Sequence, residues 1–202
     1  SPLPPLKRSV LDVGRFERER KLPLIRDVLD AVIHATDADN IIYSNADISL
    51  MPGFYRYVSA KLSDYDALVI NRRTIEKAET ADFPLEHFYA QPGSLHPGFD
   101  CFAFKRALYS RFSLGQACIG ANWIGRIVLV NMMAYAANIW VEKEDHLIFH
   151  LGDDRSWKIT ANIDFDEHNA SVLGRTMAKI ANDGLLSKHS LLKRTYEEST
   201  LK

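Results

Sequence analysis

The sequence predicts an α/β domain, and two features of its pattern support this fold class. Apolar residues at helical spacing, as in residues 22–35, alternate along the chain with short β-prone runs such as residues 41–43. The 202 residues suit a single domain with some additions, since a domain usually has about 150 residues. With 47% hydrophobic residues, the chain has enough apolar side chains to form a core.

The first half of the chain predicts a helix, a strand, a second helix and a second strand. The first helix covers residues 22–35, and the first strand, residues 41–43, precedes the polar run Ser44-Asn45-Ala46-Asp47. Pro52 is suited to the first turn of the second helix, and residues 67–70 form the second buried strand. The second strand is expected to end at Asn71, Arg72 and Arg73, and the apolar face of the second helix is expected to carry Phe54, Val58 and Leu62.

The second half of the chain begins with an irregular segment, residues 75–96, which is long enough for a substrate loop. The turn His96-Pro97-Gly98 then precedes a third strand, residues 101–104. A long helix is expected over residues 122–137. Two further strands follow it at residues 139–141 and 147–149. Asp164, with Glu167 three residues later, resembles a capping box and predicts the start of a C-terminal helix.

Composition excludes several classes of protein. Lys and Arg number 25 against 26 Asp and Glu, so the chain lacks the broad basic field of nonspecific nucleic-acid binding. Cys101 and Cys118 lie in apolar stretches and are expected to be buried free thiols in a reducing compartment, which predicts a cytoplasmic protein. The longest apolar run, residues 124–137, is too short to cross a bilayer, so no transmembrane segment is expected.

The whole chain, residues 1–202, is interpreted as one domain in three parts. Residues 1–21 form an extended lead-in, residues 22–160 form the core, and residues 161–202 form a C-terminal helical extension. Because the sequence begins without Met, we expect its N-terminal part to be processed, trimmed or incomplete.

Polar side chains cluster where predicted strands end. Ligands of open α/β sheets bind beyond the carboxyl ends of strands, so clusters far apart in sequence are expected to converge. A carboxylate with an imidazole can hold a divalent ion, and such an ion can bind a diphosphate. The clusters are Asn45 with Asp47, His96 with Asp100, and His150 with Asp153 and Asp154.

Each cluster also has a purely structural interpretation. Asn45 and Asp47 suit a turn or a helix cap, and a lone His150 is more often a hydrogen-bonded structural residue. Residues 96–98 suit a tight turn, and residues 153–155 suit an ion-pair cluster on the surface. Taken one by one, the motifs leave both interpretations open.

Three segments of the sequence together resemble a known family: DNIIYSNADISLMPGFY, HPGFDCFAF and HLIFHLGDDRSW. The chain is similar to nucleotide-sugar-dependent glycosyltransferases with the GT-A fold over roughly residues 22–157. This resemblance implies a mixed central sheet flanked by helices. It also implies a Mn²⁺ or Mg²⁺ ion, for which Asp47 matches the second acid of the metal motif. Asn45 stands where the first acid often is, and His150 matches a histidine late in the domain.

The resemblance implies transfer of a sugar from a nucleoside-diphosphate sugar to a hydroxyl of a carbohydrate or another acceptor. Asn45 and Asp47 are the candidates for contact with the donor and its metal ion. Arg72 and Arg73 are candidate cations for the diphosphate, although each also suits a solvated surface charge. The resemblance leaves open whether the transfer inverts or retains the anomeric configuration. For the inverting case, Asp100 is the first candidate for the base that removes the acceptor proton, while a structural turn carboxylate is an equal alternative. Asp153 and Asp154 are the second candidates.

Two other functions remain open from the sequence. Several Asp and two His at strand ends also suit a metal-dependent phosphohydrolase. Asn45 in place of an acid also suits a non-catalytic module that binds a nucleotide sugar.

Overall fold

The computed structural model of the chain describes residues 5–76, 84–152 and 163–200. The chain divides into two compact units, which we name the helical unit and the sheet unit. The helical unit comprises Ser1–Asp39, Arg106–Tyr135 and Arg155–Lys202, and the sheet unit comprises Asn40–Lys105 and Ala136–Asp154. The mixed sheet and the helices described below confirm the α/β class.

Within the described residues, the sheet unit contains one mixed sheet of six strands. The strand order is β1-β4-β3-β6-β2, and β5 also pairs with β3. The β1–β4, β3–β4 and β2–β6 pairs are antiparallel, whereas β5 and β6 lie parallel to successive parts of β3. The strands are β1 (Asn40–Ser44), β2 (Ser49–Leu50), β3 (Ala67–Ile75), β4 (Ser94–Lys105), β5 (Ile139–Glu142) and β6 (Ile148–Leu151).

The first strand and the second helix of the prediction are confirmed. Strand β1 extends the predicted residues 41–43 by one residue at each end. Helix α2 (Phe54–Asp64) buries Phe54, Val58 and Leu62 as its i, i+4 spacing predicts. These three side chains pack with the β3 and β4 residues Leu68, Ile70, Cys101 and Ala103 to form the core of the sheet unit.

Strand β3 is longer than the sequence predicts. Its predicted end at Asn71, Arg72 and Arg73 is wrong, because the strand continues to Ile75. Asn71 and Arg72 are buried, but their side chains meet polar partners from β4, so they do not interrupt the strand.

Strand β4 begins before the predicted turn at residues 96–98. The strand starts at Ser94, and His96, Pro97 and Gly98 lie inside it. The pairing of β4 with β3 shifts register beside Asn71, and Pro97 lies at this irregularity. Proline cannot donate to a ladder hydrogen bond, so it is compatible with a strand that bulges there.

The remaining strands are confirmed with small shifts. Strand β5 adds Glu142 to the predicted residues 139–141. Strand β6 covers Ile148–Leu151, so His150 lies in the strand rather than beyond its end. Within the irregular segment, the short helix α3 (Leu85–Tyr89) was not predicted, and residues 77–83 lie outside the described residues.

The helical unit contains the predicted first helix, the predicted long helix and the predicted C-terminal helix, which a further helix follows. These are α1 (Ile25–Ala35), α4 (Ile124–Tyr135), α5 (Ile163–Asn182) and α6 (Ser190–Thr200). Helix α1 begins three residues later than predicted, because Leu24 is extended and bridges to Cys118. In α5 the predicted apolar residues Val172, Leu173, Met177 and Ile180 are all buried.

Both cysteines are buried and neither forms a disulfide. Burial raises the pKa of the Cys118 thiol to about 11, and burial together with the charge of Asp100 raises the pKa of Cys101 to about 12. Among the described residues, no helix is long and apolar enough to cross a membrane.

Candidate functional site

Two predicted site residues from distant parts of the sequence meet in the sheet unit. Asp47 follows β1, and His150 lies in β6. The Oδ2 atom of Asp47 is 3.2 Å from Nε2 of His150. The His150 side chain is 10% exposed and that of Asp47 is 64% exposed, so the pair lies at the surface with its imidazole sheltered.

The backbone fixes the hydrogen-bonding state of His150. Its Nδ1 atom is 2.7 Å from the carbonyl oxygen of Gly152. Because a carbonyl oxygen only accepts, Nδ1 carries a proton. In the neutral imidazole, Nε2 then presents a lone pair beside the carboxylate of Asp47. Nε2 and the carboxylate of Asp47 both offer lone pairs, so a proton on Nε2 or a cation between them would give both groups a partner.

The two facing atoms of this pair are spaced as two ligands of one divalent cation would be. An imidazole whose other nitrogen donates to a backbone carbonyl is the usual arrangement of a histidine metal ligand. Ligands at right angles and about 2.2 Å from an ion lie about 3.1 Å apart, close to the Asp47–His150 separation. Among the described residues, no group of three or more His, Cys, Asp or Glu side chains is placed around one ion. Asp47 and His150 would therefore leave most coordination positions to water or phosphate, as Mg²⁺ sites commonly do.

A second set of contacts joins Asn45, Asp100 and Arg72. The Nδ2 atom of Asn45 is 3.0 Å from Oδ1 of Asp100, and Nε of Arg72 is 3.3 Å from Oδ2 of Asp100. The Arg72 and Asp100 side chains are only 10% and 14% exposed. Although these two groups pair by charge, neither Nε of Arg72 nor Oδ2 of Asp100 has an aligned hydrogen bond. Asp100 can therefore take a substrate proton only if one of these contacts changes.

The negative charge of Asp100 affects its neighbours. Burial, and then the charge of Asp100, raises the pKa of Tyr43 to about 12. The Tyr43 hydroxyl is buried without a hydrogen-bond partner. Asp100 is thus a carboxylate in a weakly solvated part of the sheet, where charges interact strongly.

Asn71 and Arg72 hold the segment around His96. Nδ2 of Asn71 donates to the carbonyl oxygens of His96 and Gly98 at 2.5 and 2.7 Å. Nη2 of Arg72 is 3.3 Å from Nδ1 of His96, and because arginine only donates, this Nδ1 is the acceptor. The predicted pair His96 and Asp100 is therefore linked through Arg72.

Arg73 has a different environment from Arg72. Its Nη2 atom donates to the carbonyl oxygen of Glu144 at 2.7 Å. Burial, and then the charge of Arg73, lowers the pKa of His146. Arg73 is thus held beside the start of β6 rather than in the Asp100 group.

The predicted site residues come together in two sets. Asp47 meets His150, while Asn45 meets Asp100 and Arg72, and the two sets share the turn of residues 45–47. Asp153 and Asp154, the second candidates for the base, lie outside the described residues.

Comparison of the chain with protein-family models, with curated proteins and with solved structures gave no match.

Sequence reasoning missed two contributors to this part of the fold. The sequence predicts a strand end at Asn71, yet the amide of Asn71 holds β4 beside the site. A polar residue directly after the apolar run 67–70 is the signal that the sequence offers. The sequence also did not single out Glu142, whose carboxylate accepts hydrogen bonds from Tyr57 and Trp140, and no motif marks it.

Proposed function

We propose that the chain is a metal-dependent glycosyltransferase with a GT-A type of fold. It transfers a sugar from a nucleoside-diphosphate sugar to a hydroxyl of a carbohydrate or another acceptor. The observation that carries the proposal is the contact between Asp47 and His150, since the resemblance assigns these two residues to one metal site. The mixed sheet of the sheet unit also supports it.

The chain's residues have separate roles in this proposal. Asp47 and His150 bind Mn²⁺ or Mg²⁺, which would offset the negative charge of the leaving diphosphate. Arg72 and Arg73 are the proposed cations for the diphosphate; Arg72 is oriented by Asp100, whereas Arg73 is held by the carbonyl oxygen of Glu144.

The transfer step needs a base for the acceptor proton. In the inverting form of the reaction, the acceptor oxygen forms a bond to the anomeric carbon while the bond from that carbon to the diphosphate oxygen breaks. The electron pair of the broken bond leaves with the diphosphate, and the acceptor proton moves to a carboxylate. Asp100 is the candidate base within the described residues, and Oδ2 is its oxygen without a hydrogen bond.

One observation favours a second candidate function, a non-catalytic module that binds a nucleotide sugar. The Oδ2 atom of Asp100 is buried against Arg72, and Oδ1 is occupied by Asn45. Binding of a nucleotide sugar with metal, but without transfer or hydrolysis, would support this candidate. Release of phosphate by water without sugar transfer would instead indicate a phosphohydrolase.

The same proposal places the chain in the cytoplasm. Its two cysteines support a reducing compartment, because both are buried and neither forms a disulfide.

A thermal-shift titration tests the proposal. Nucleoside diphosphates and their sugar conjugates are added with and without Mn²⁺, and ligands that bind the folded state raise its stability. At a ligand concentration of 100 Kd the expected gain is about 2.7 kcal/mol. We expect this gain to require Mn²⁺ and to disappear in Asp47→Ala.

The matched control is Asp64→Ala, which removes an exposed carboxylate at the end of α2. This variant should keep the full Mn²⁺-dependent gain. Equal nucleotide-sugar affinity in Asp47→Ala and Asp64→Ala would contradict the proposal. Products of a subsequent incubation with acceptors then separate transfer from binding alone.

A further inference from the structure

Asn45 stands where the resemblance expects a metal-binding acid, and its side chain contacts a carboxylate. Its Nδ2 atom is 3.0 Å from Oδ1 of Asp100. A carboxylate oxygen only accepts, so the amide N–H of Asn45 is the donor. An acid at position 45 would instead place its negative charge about as close to the carboxylate of Asp100 as the Asn45 amide now lies. Two carboxylates at this distance repel each other.

The surroundings of Asp100 leave little compensation for a second negative charge. Arg72 is the cation that pairs with Asp100, and both side chains are largely buried. The charge of Asp100 already raises the pKa values of Tyr43 and Cys101, in addition to the larger effect of burial. A buried carboxylate needs paired charges and hydrogen bonds, and the neutral amide of Asn45 supplies one without adding charge.

We propose that Asn45 is a positioning residue that holds Asp100 through its amide, and that Asp47 is the only metal-binding side chain of the turn at residues 45–47. The first half depends on the contact between Asn45 and Asp100 alone. The second half rests on the proposed function. The departure from a two-acid motif then follows from the carboxylate that β4 places beside Asn45.

A cycle of unfolding measurements tests the first half. Asn45→Asp is introduced into the wild-type chain and into Asp100→Asn, and the midpoint of thermal unfolding is measured for all four proteins. We expect Asn45→Asp to lower the midpoint in the wild-type background but not in the Asp100→Asn background, where the repelling carboxylate is gone. Equal shifts in both backgrounds would overturn this half.

Titration with Mn²⁺ alone tests the second half. The proteins are the wild type, Asn45→Asp and the matched control Asn40→Asp, which adds the same charge at an exposed position of β1. These two variants measure the effect of added charge. Asn45→Ala, compared with Asn40→Ala, removes the amide and tests whether it binds the ion. We expect equal Mn²⁺ affinity for Asn45→Ala and Asn40→Ala, and a loss of about tenfold in Asn45→Ala alone would overturn the proposal.

The two tests distinguish a failure of the proposed function from a failure of the inference about Asn45. If Asp47→Ala does not weaken Mn²⁺ binding, the proposed metal site fails, and the second half fails with it. The unfolding cycle still decides whether Asn45 holds Asp100, because that measurement needs neither metal nor nucleotide.

Discussion

Asp47 and His150 are 103 residues apart in sequence, and their Oδ2 and Nε2 atoms lie 3.2 Å apart. The short strand β2 explains this contact, because Ser49 pairs with Phe149 in β6. Asp47 lies two residues before Ser49, and His150 directly follows Phe149. Two ladder pairs therefore bring a carboxylate and an imidazole together from opposite halves of the chain.

Asp100→Asn tests the proposed base. The amide keeps the shape of the carboxylate but cannot take a proton, so transfer should fall at least about 100-fold, within the range usual for general-base catalysis. Affinity for the nucleotide sugar, measured by calorimetry, should stay within about threefold of the wild type if Asp100 does not bind the donor. Transfer at the wild-type rate would remove Asp100 from this role.

The pair of Arg72 and Asp100 should show strong coupling in folding stability. Removing one member of a buried ion pair costs about 3 kcal/mol, because the remaining charge loses its partner. Arg72→Gln and Asp100→Asn should each destabilise by about this amount, and the double variant by clearly less than their sum. Urea unfolding measures all three values, and additive losses would show that the two groups act independently.

Glu142 should make folding stability depend on pH in acid. Burial raises its pKa, but hydrogen bonds from Tyr57, Trp140 and two backbone N–H groups outweigh this and lower it from 4.5 to about 2. A lowered pKa contributes stability above pH 4.5, and that stability is lost as the pH falls towards 2.

We therefore expect Glu142→Gln to destabilise by about 3 kcal/mol at pH 7, and this difference should shrink progressively below pH 4.5. The control is Glu144→Gln, which changes an exposed carboxylate nearby and should show almost no effect. Unfolding by urea at a series of pH values gives both curves. A difference for Glu142→Gln that does not change with pH would contradict the assignment.

Gly93 should tolerate no side chain. Its φ of 58° is in the left-handed region, and an added Cβ would lie 2.9 Å from the carbonyl oxygen of Thr74. Gly93→Ala should destabilise by about 3 kcal/mol, from backbone strain and from crowding against β3. Gly53, with φ of 85° and no atom within 4 Å of its Cβ position, is the control. Gly53→Ala should cost only about 1 kcal/mol, and equal losses would mean that crowding at residue 93 is absent.

Local pattern was sufficient to predict much of the fold. Helix α2 lies where periodicity predicts it, since its apolar residues face the core of the sheet unit. Strand β1 lies where its short apolar run predicts a strand. The prediction was wrong at Asn71 and Arg72, where polar residues continue β3. Their partners come from β4 more than twenty residues later, so no local signal could show that these side chains would find polar partners.

The candidate site, like the fold, could be predicted from the sequence only in part. The clusters at Asn45, Asp47 and His150 were visible in the sequence, because polar residues that follow or interrupt apolar runs are conspicuous. The sequence did not show that Asn45 would meet Asp100, because the two residues are 55 positions apart and their contact depends on the pairing of β1 with β4.

Residue type and spacing thus determined the α/β class, most helices and strands, and the polar residues suited to a cation. The tertiary structure decided which of them meet. Pairing of β2 with β6 brings Asp47 to His150, and the bulged β4 brings Asp100 to Asn45 and Arg72. The physical reason is that contacts between charged and hydrogen-bonding groups depend on distances of a few ångströms, which are set by strand register and not by position along the chain.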